Sequence, residues 1–128
     1  MTVDGKQIKN PTFAAPTGYR TGVGGTVTQL TSRTTGVTLS KICGQITTNT
    51  TSLAALAAAS FTVTNTLVAA TDIIIVSKVS GSTNVKTDIR VTAVAAGSFQ
   101  ITVHNIDAVT AEVGAIVINF AIIKSVIA

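Results

Sequence analysis

From Gly25 onward the chain repeats one device: a short run in which Val, Ile, Leu or Phe alternates with Thr or another polar residue, closed by Gly, Asn, Ser or Asp. Alternation with a period of two puts successive side chains on opposite faces of a strand, so it requires a sheet that is buried on one side. Residues 26–31 (TVTQLT), 36–42 (GVTLSKI), 44–48 (GQITT), 60–65 (SFTVTN), 88–94 (DIRVTAV) and 98–105 (SFQITVHN) follow the pattern. Turn residues recur between them at about the 8 to 12 residue spacing of a sandwich or barrel. The abundance of Thr, Val and Ile points the same way, because β-branched side chains suit a pleated surface.

The alternation also assigns faces. Phe61 and Val63 oppose Thr62 and Thr64; Ile89, Val91 and Ala93 oppose Arg90 and Thr92; Phe99, Ile101 and Val103 oppose Gln100, Thr102 and His104. The Ala95-Ala96-Gly97 link makes residues 88–94 and 98–105 the clearest hairpin. Residues 53–59 (LAALAAA) are the one helix-compatible segment, too short for a stable isolated helix and suited to a single turn or a loop.

Two runs are apolar on both faces. Residues 72–79 (DIIIVSKV) stay apolar until Ser77 and Lys78, which predicts a strand that is central or covered by a neighbour. Residues 115–127 (AIVINFAIIKSVI) are richer still in Ile and Val. They fall short of the roughly 20 residues of a membrane helix, and Asn119 and Lys124 interrupt them, so they too read as a buried strand. The expected fold is all-β: an antiparallel β-sandwich or jelly-roll-like barrel of about eight strands, which implies two packed sheets.

A long, doubly apolar strand invites aggregation unless something covers it. Only 11% of residues are charged, against about 25% in an average globular chain. Together these predict a homo-oligomer, with Ile116, Ile118, Phe120 and Ile122 of the terminal strand as its interface. Residues 1–24, ahead of the β-domain at 25–128, contain both prolines and no sustained period, which reads as an extended arm. Lys6, Lys9, Phe13, Tyr19 and Arg20 are its candidate docking residues. Residues 1–10 lack the apolar core of a signal peptide, so synthesis and assembly without export are expected.

The residues for chemistry are few. Cys43 and His104 are the only cysteine and histidine, so neither a disulfide framework nor a Cys/His zinc site is expected within one chain. A Ser/His/Asp set would have to pair His104 with Asp107, and residues that close at a strand end read as loop hydrogen bonders. Asp107 and Glu112 share a loop but fall short of the six to eight oxygens of a calcium site; turn capping and a surface ion pair are expected of them. The glycines from Gly22 to Gly25 lack the Lys-Ser/Thr ending of a phosphate loop. The net charge of +4 comes from scattered cations without interleaved aromatics, which disfavours nucleic acid. The expectation is a binding or structural protein, not an enzyme, with no cofactor, metal or membrane partner.

The strings GTVTQLTSRTTGVTL (25–39), GQITTNTTSLAA (44–55), FTVTNTLVAATDIIIV (61–76) and VINFAIIK (117–124) resemble a small virion-protein domain of tailed bacteriophages. Such domains occur as capsid decoration, or cement, proteins and within longer head or tail fibre proteins. The resemblance implies a symmetric oligomer, typically a trimer, that is assembled in the host cytoplasm, sits on the capsid exterior, binds the major capsid protein and stabilises the shell. It also admits a receptor-binding or fibre-tip module. Against that alternative stand the absence of Trp and the single Tyr, since sugar sites usually stack on aromatics. Its motifs are Thr-rich strand patterns, so the resemblance implies no active site.

Overall fold

The computed structural model describes residues 18–127, together with the backbone of two short paired strands, β1 (Thr2–Val3) and β2 (Lys6–Gln7). Eight further strands follow: β3 (Gly24–Thr28), β4 (Val37–Thr38), β5 (Cys43–Thr47), β6 (Ala58–Thr64), β7 (Ile73–Ser80), β8 (Thr87–Ala95), β9 (Ser98–Asn105) and β10 (Val117–Ile123). They form two four-stranded sheets in the orders β3-β5-β10-β7 and β4-β6-β9-β8. The two sheets enclose one core, giving a β-sandwich without a closed barrel and, among the described residues, without a helix.

The pairing is mixed, not purely antiparallel as expected: β3 runs parallel to β5, and β4 parallel to β6. Connectivity explains this. The chain changes sheet at nearly every connection, so strands that are neighbours in a sheet are separated in sequence by a strand of the other sheet. Two strands entered from the same end then lie parallel. The exception is β8–β9, the hairpin expected from sequence, which turns at Gly97 with φ +82°. Only glycine adopts that conformation without a Cβ penalty.

One half of the core is built from faces that the alternation assigned, the other from residues that it did not. Phe61 and Val63 of β6 and Phe99, Ile101 and Val103 of β9 are buried from one sheet; Ile46 of β5 and Ile118, Phe120 and Ile122 of β10 are buried from the other. The rings of Phe99 and Phe120 meet across the sandwich at 5.4 Å between centroids, tilted by 54°, which is a favourable aromatic geometry. In β8 a bulge between Val91 and Ala93 shifts the register, so Val94 packs inward and Ala93, expected on the inner face, is exposed.

Two further expectations are narrowed. Of the two forms expected for residues 53–59 the loop is found and the helical turn is not: Leu53 makes an isolated bridge to Glu112, Leu56 has φ 60°, and Ala58 already begins β6. The doubly apolar β7 is not central but an edge strand. Its Lys78 has the inward parity of Ile74 and Val76 and reaches the Thr87 carbonyl of β8 at 2.6 Å, tying the two sheet edges together. An inward-pointing charge on an edge strand also discourages pairing with another chain.

Candidate interaction surfaces

Four connections meet at one end of the sandwich: 29–36, 48–57, 81–86 and 106–116. They are held by a polar core that sequence reasoning did not anticipate. Glu112, expected at the surface, is 0% exposed. Its Oε1 accepts from the Thr83 amide at 2.9 Å, the Thr83 hydroxyl at 2.7 Å and the Gly114 amide at 2.7 Å. Its Oε2 accepts from the Asn84 amide at 3.1 Å, the Thr87 hydroxyl at 2.7 Å and the Ser82 hydroxyl. Burial by itself pushes this carboxyl up, but the donors from Ser82, Thr83 and Thr87 outweigh it and hold the group well below the usual carboxylate range.

Arg33, one of the cations scattered along the sequence, is also buried. Its guanidinium donates to the Gly114 carbonyl at 2.9 Å, the Glu112 carbonyl at 3.4 Å, the Thr48 hydroxyl at 3.2 Å and the Thr51 carbonyl. Burial lowers its pKa, and the nearby Glu112 charge opposes that. Asn84 and Asn105 complete the network, both donating to the Thr110 carbonyl, at 3.0 and 2.8 Å. The backbones of two of these loops come so close that a Cβ on Gly114 would stand 1.9 Å from the Gly81 oxygen. Every buried polar side-chain atom described has a partner. The loops are thus fixed from beneath, as a satisfied buried network requires.

Above that network the same loops expose aliphatic side chains. Val85 is 93% and Val109 86% exposed, and Leu56 and Ile106 are also outward. They are neighbours through the backbone, since the Leu56 amide bonds the Asp107 carbonyl and the Ile106 amide the Lys86 carbonyl. Asp107 behaves as expected: it caps the amides of Val109 and Thr110 and pairs with Lys86 at 3.4 Å. Those two amide bonds hold its carboxyl below the ordinary range.

The opposite end receives the N-terminal segment. The Tyr19 hydroxyl donates to the Ile122 carbonyl, anchoring the chain beside β10 just before β3 begins. Arg20 and Lys41 are exposed at this end. Lys124 pairs with Asp72 at 2.6 Å and also bonds the Leu67 carbonyl, clipping the residues after β10 to the β6–β7 connection. Hydrogen bonds from the Ala69 amide and from Lys124 hold the Asp72 carboxyl below its usual value. Of the other predicted docking residues, Lys9, Phe13 and the side chain of Lys6 lie outside the described residues.

The predicted interface residues are placed differently from the expectation. Ile116, Ile118 and Ile122 are 0% exposed and Phe120 3% exposed, all within this chain's own core. They face the second sheet, and a partner could reach them only by opening the sandwich. The exposed side of β10 carries the alternate set, with Asn119 and Ile123 open to solvent.

The arrangement holds no assembled catalytic set among the described residues. Each of the four acids there is engaged structurally: Asp72 with Lys124, Asp88 with Arg90 at 3.5 Å, Asp107 with Lys86, and Glu112 in the loop core. His104 lies on the outer face of β9 opposite Asp88 and Ala58, apart from the Asp107 contacts. No group of three metal-ligating side chains occurs among the described residues. Comparisons of the chain with protein-family models, with curated proteins and with solved structures found no match in any of the three.

Proposed function

We propose that this chain is a structural virion protein of a tailed bacteriophage, a capsid decoration protein. It binds the major capsid protein on the capsid exterior as a symmetric homo-oligomer, a trimer by the resemblance, and stabilises the shell after assembly in the host cytoplasm. The sequence resemblance over residues 25–124 supports the class. The observation that carries the docking mode is the division of charge. The acids of the described residues are all in internal contacts, whereas Arg20 and Lys41 stand exposed where the N-terminal segment leaves the domain. Residues 1–17 add Lys6 and Lys9 against Asp4, so the sequence of the arm is net positive as well. Such a surface suits an acidic shell and acts mainly through steering and orientation. Clamping by many weak contacts, repeated around a symmetric oligomer, then supplies avidity.

The test is binding of the full-length protein to purified capsids that lack it. Saturable occupancy is expected, weakened by higher salt and by the double substitution Arg20→Glu with Lys41→Glu. Removing residues 1–17, which keeps the Tyr19 anchor, should lower occupancy further. Occupancy indifferent to both changes would sink the docking mode, and absence of capsid binding would sink the function.

The exposed Leu56, Val85, Ile106 and Val109 on rigidly held loops favour a second reading, a receptor-binding or fibre-tip module that recognises a host surface ligand. Specific adsorption of the isolated protein to host cells, abolished by Val85→Asp with Val109→Asp, would support that reading over the first.

A further inference from the structure

We infer that the outer face of the β3-β5-β10-β7 sheet is the surface through which copies of this chain associate, turned toward a common symmetry axis. The inference deepens the oligomeric part of the proposed function and shares that premise, but it is argued from the sheet itself.

The first observation is the position of β7. A strand apolar on both faces is explained either by a central place in a covered sheet or by a neighbour on its outer side. Because β7 is an edge strand and its sheet packs against the other sheet on one side only, nothing described within the chain covers Ile73 and Ile75. They remain 51% and 50% exposed. Register places Ile73 beside Ile123 and Ile75 beside Ala121, so the apolar residues run together as a ridge.

The second observation is the absence of charge. The outward side chains of this sheet are aliphatic, Thr, Ser, Cys43 and the amides of Gln45 and Asn119, which bond each other at 3.0 Å. The outer face of the other sheet carries Asp88, Arg90 and His104. In a cyclic assembly a residue near the axis meets its own copies, so a charge placed there repels itself. For a chain of net charge +4, a face without charge is the one by which copies approach without that penalty. An acidic partner would instead select the basic end.

The third observation is relief. Beside the ridge lies a shallow groove lined by Gly24, Cys43, Gln45 and Asn119, where glycine leaves the sheet bare. Ridge and groove on one face are what self-association needs, since each copy supplies both. Strands of five to eight residues, about 17 to 27 Å long at about 4.8 Å spacing, give roughly 400 Å² in projection, before side-chain relief is added. That is a large share of the about 800 Å² per partner that a standard interface buries.

Cys43 supplies the test, because it is the only thiol in the chain and sits on this face. Sedimentation of the purified full-length protein, without capsids, should show an oligomer at tens of micromolar. Ile75→Lys should remain folded and weaken association by at least about 100-fold, since it places like charges in a desolvated contact. Thr62→Lys, on the outer face of the other sheet, should leave the mass unchanged. Alkylation of Cys43 in the unaltered protein should slow as concentration rises through the assembly range. Slow alkylation at concentrations where sedimentation shows a monomer would mean that the chain's own N-terminal segment occupies the face, and fast alkylation at every concentration that nothing does; either result overturns the inference. So would an Ile75→Lys protein of unchanged mass. Capsid binding by a strictly monomeric protein would overturn the inference while leaving the docking proposal intact.

Discussion

Replacing the buried carboxylate of Glu112 by an amide tests the loop core directly. Glu112→Gln keeps shape but turns one oxygen into a donor. With the amide nitrogen at the Oε1 position, it would face the Thr83 and Gly114 N–H groups, which cannot turn away. At the Oε2 position it faces the Asn84 N–H and two hydroxyls, Ser82 and Thr87, which can rotate to accept from it. The second orientation is therefore adopted, and it strands one buried N–H at about 1–3 kcal/mol. The remaining bonds lose their charge assistance, and Arg33 loses its compensating charge. Against this stands the recovered cost of burying the carboxylate, so the net loss at pH 7 is about 3 kcal/mol, the lower end for breaking a buried charge arrangement. For a chain of this length that corresponds to a fall in Tm of roughly 10–15 °C.

The pH dependence gives a sharper signature. The folded pKa of Glu112 is depressed, so its contribution is fully present above the unfolded carboxylate value and is lost as pH falls toward the folded one. Below about pH 4.3 the unaltered protein loses up to about 1.4 kcal/mol per pH unit from this group, and the variant loses none. Asp72 and Asp107 titrate in both proteins and cancel in the difference. Urea unfolding at equal concentration should give a gap of about 3 kcal/mol at pH 7, narrowing to about 1 kcal/mol near pH 3. A gap below about 1 kcal/mol at pH 7, or one that does not narrow on acidification, would refute the reasoning.

Gly114→Ala should destabilise by more than about 3 kcal/mol, because its Cβ would meet the backbone oxygen of Gly81 and neither strand of chain can yield; a urea midpoint unchanged within error would contradict the close approach. Ile101→Ala, at a fully buried core position, should cost about 3–4 kcal/mol in the same assay. Asp72→Ala should release Lys124 and raise hydrogen exchange at the Ala69 amide, with little change in the exchange of β9. In the unaltered protein that clip should hold at neutral pH and loosen as pH falls through the depressed carboxyl pKa of Asp72.

The alternating runs made β6, β8 and β9 legible, including which face of Phe61, Phe99 and Ile101 is buried, because a period of two is a local property. The β8–β9 hairpin was legible for the same reason, its turn being written in three consecutive residues. The bulge in β8 was not, since nothing local distinguishes Ala93 from Val94 as the inward residue. Asp107 could be read as a loop cap because its partners follow within a few residues. Glu112 and Arg33 could not. Arg33 reaches carbonyls 79 and 81 residues on, Glu112 takes most of its donors from 25 to 30 residues back, and a lone Glu or Arg in a polar loop carries no sign of burial. A signal was nonetheless present in the Ser82-Thr83-Asn84 run, which is dense in donors and faces a single acid.

The sequence by itself determined that this chain is all-β, of about eight strands in two packed sheets, with too many aliphatic residues for its charge. Only the tertiary structure decided where that surplus goes. It buried Ile116, Ile118, Phe120 and Ile122 within the chain and left Ile73, Ile75 and Ile123 outside, at and beside a sheet edge. The physical reason is that alternation states which side chains share a face, whereas strand order depends on how loops cross between sheets. A strand apolar on both faces is therefore compatible with the centre of a sheet or its rim until its neighbours are known.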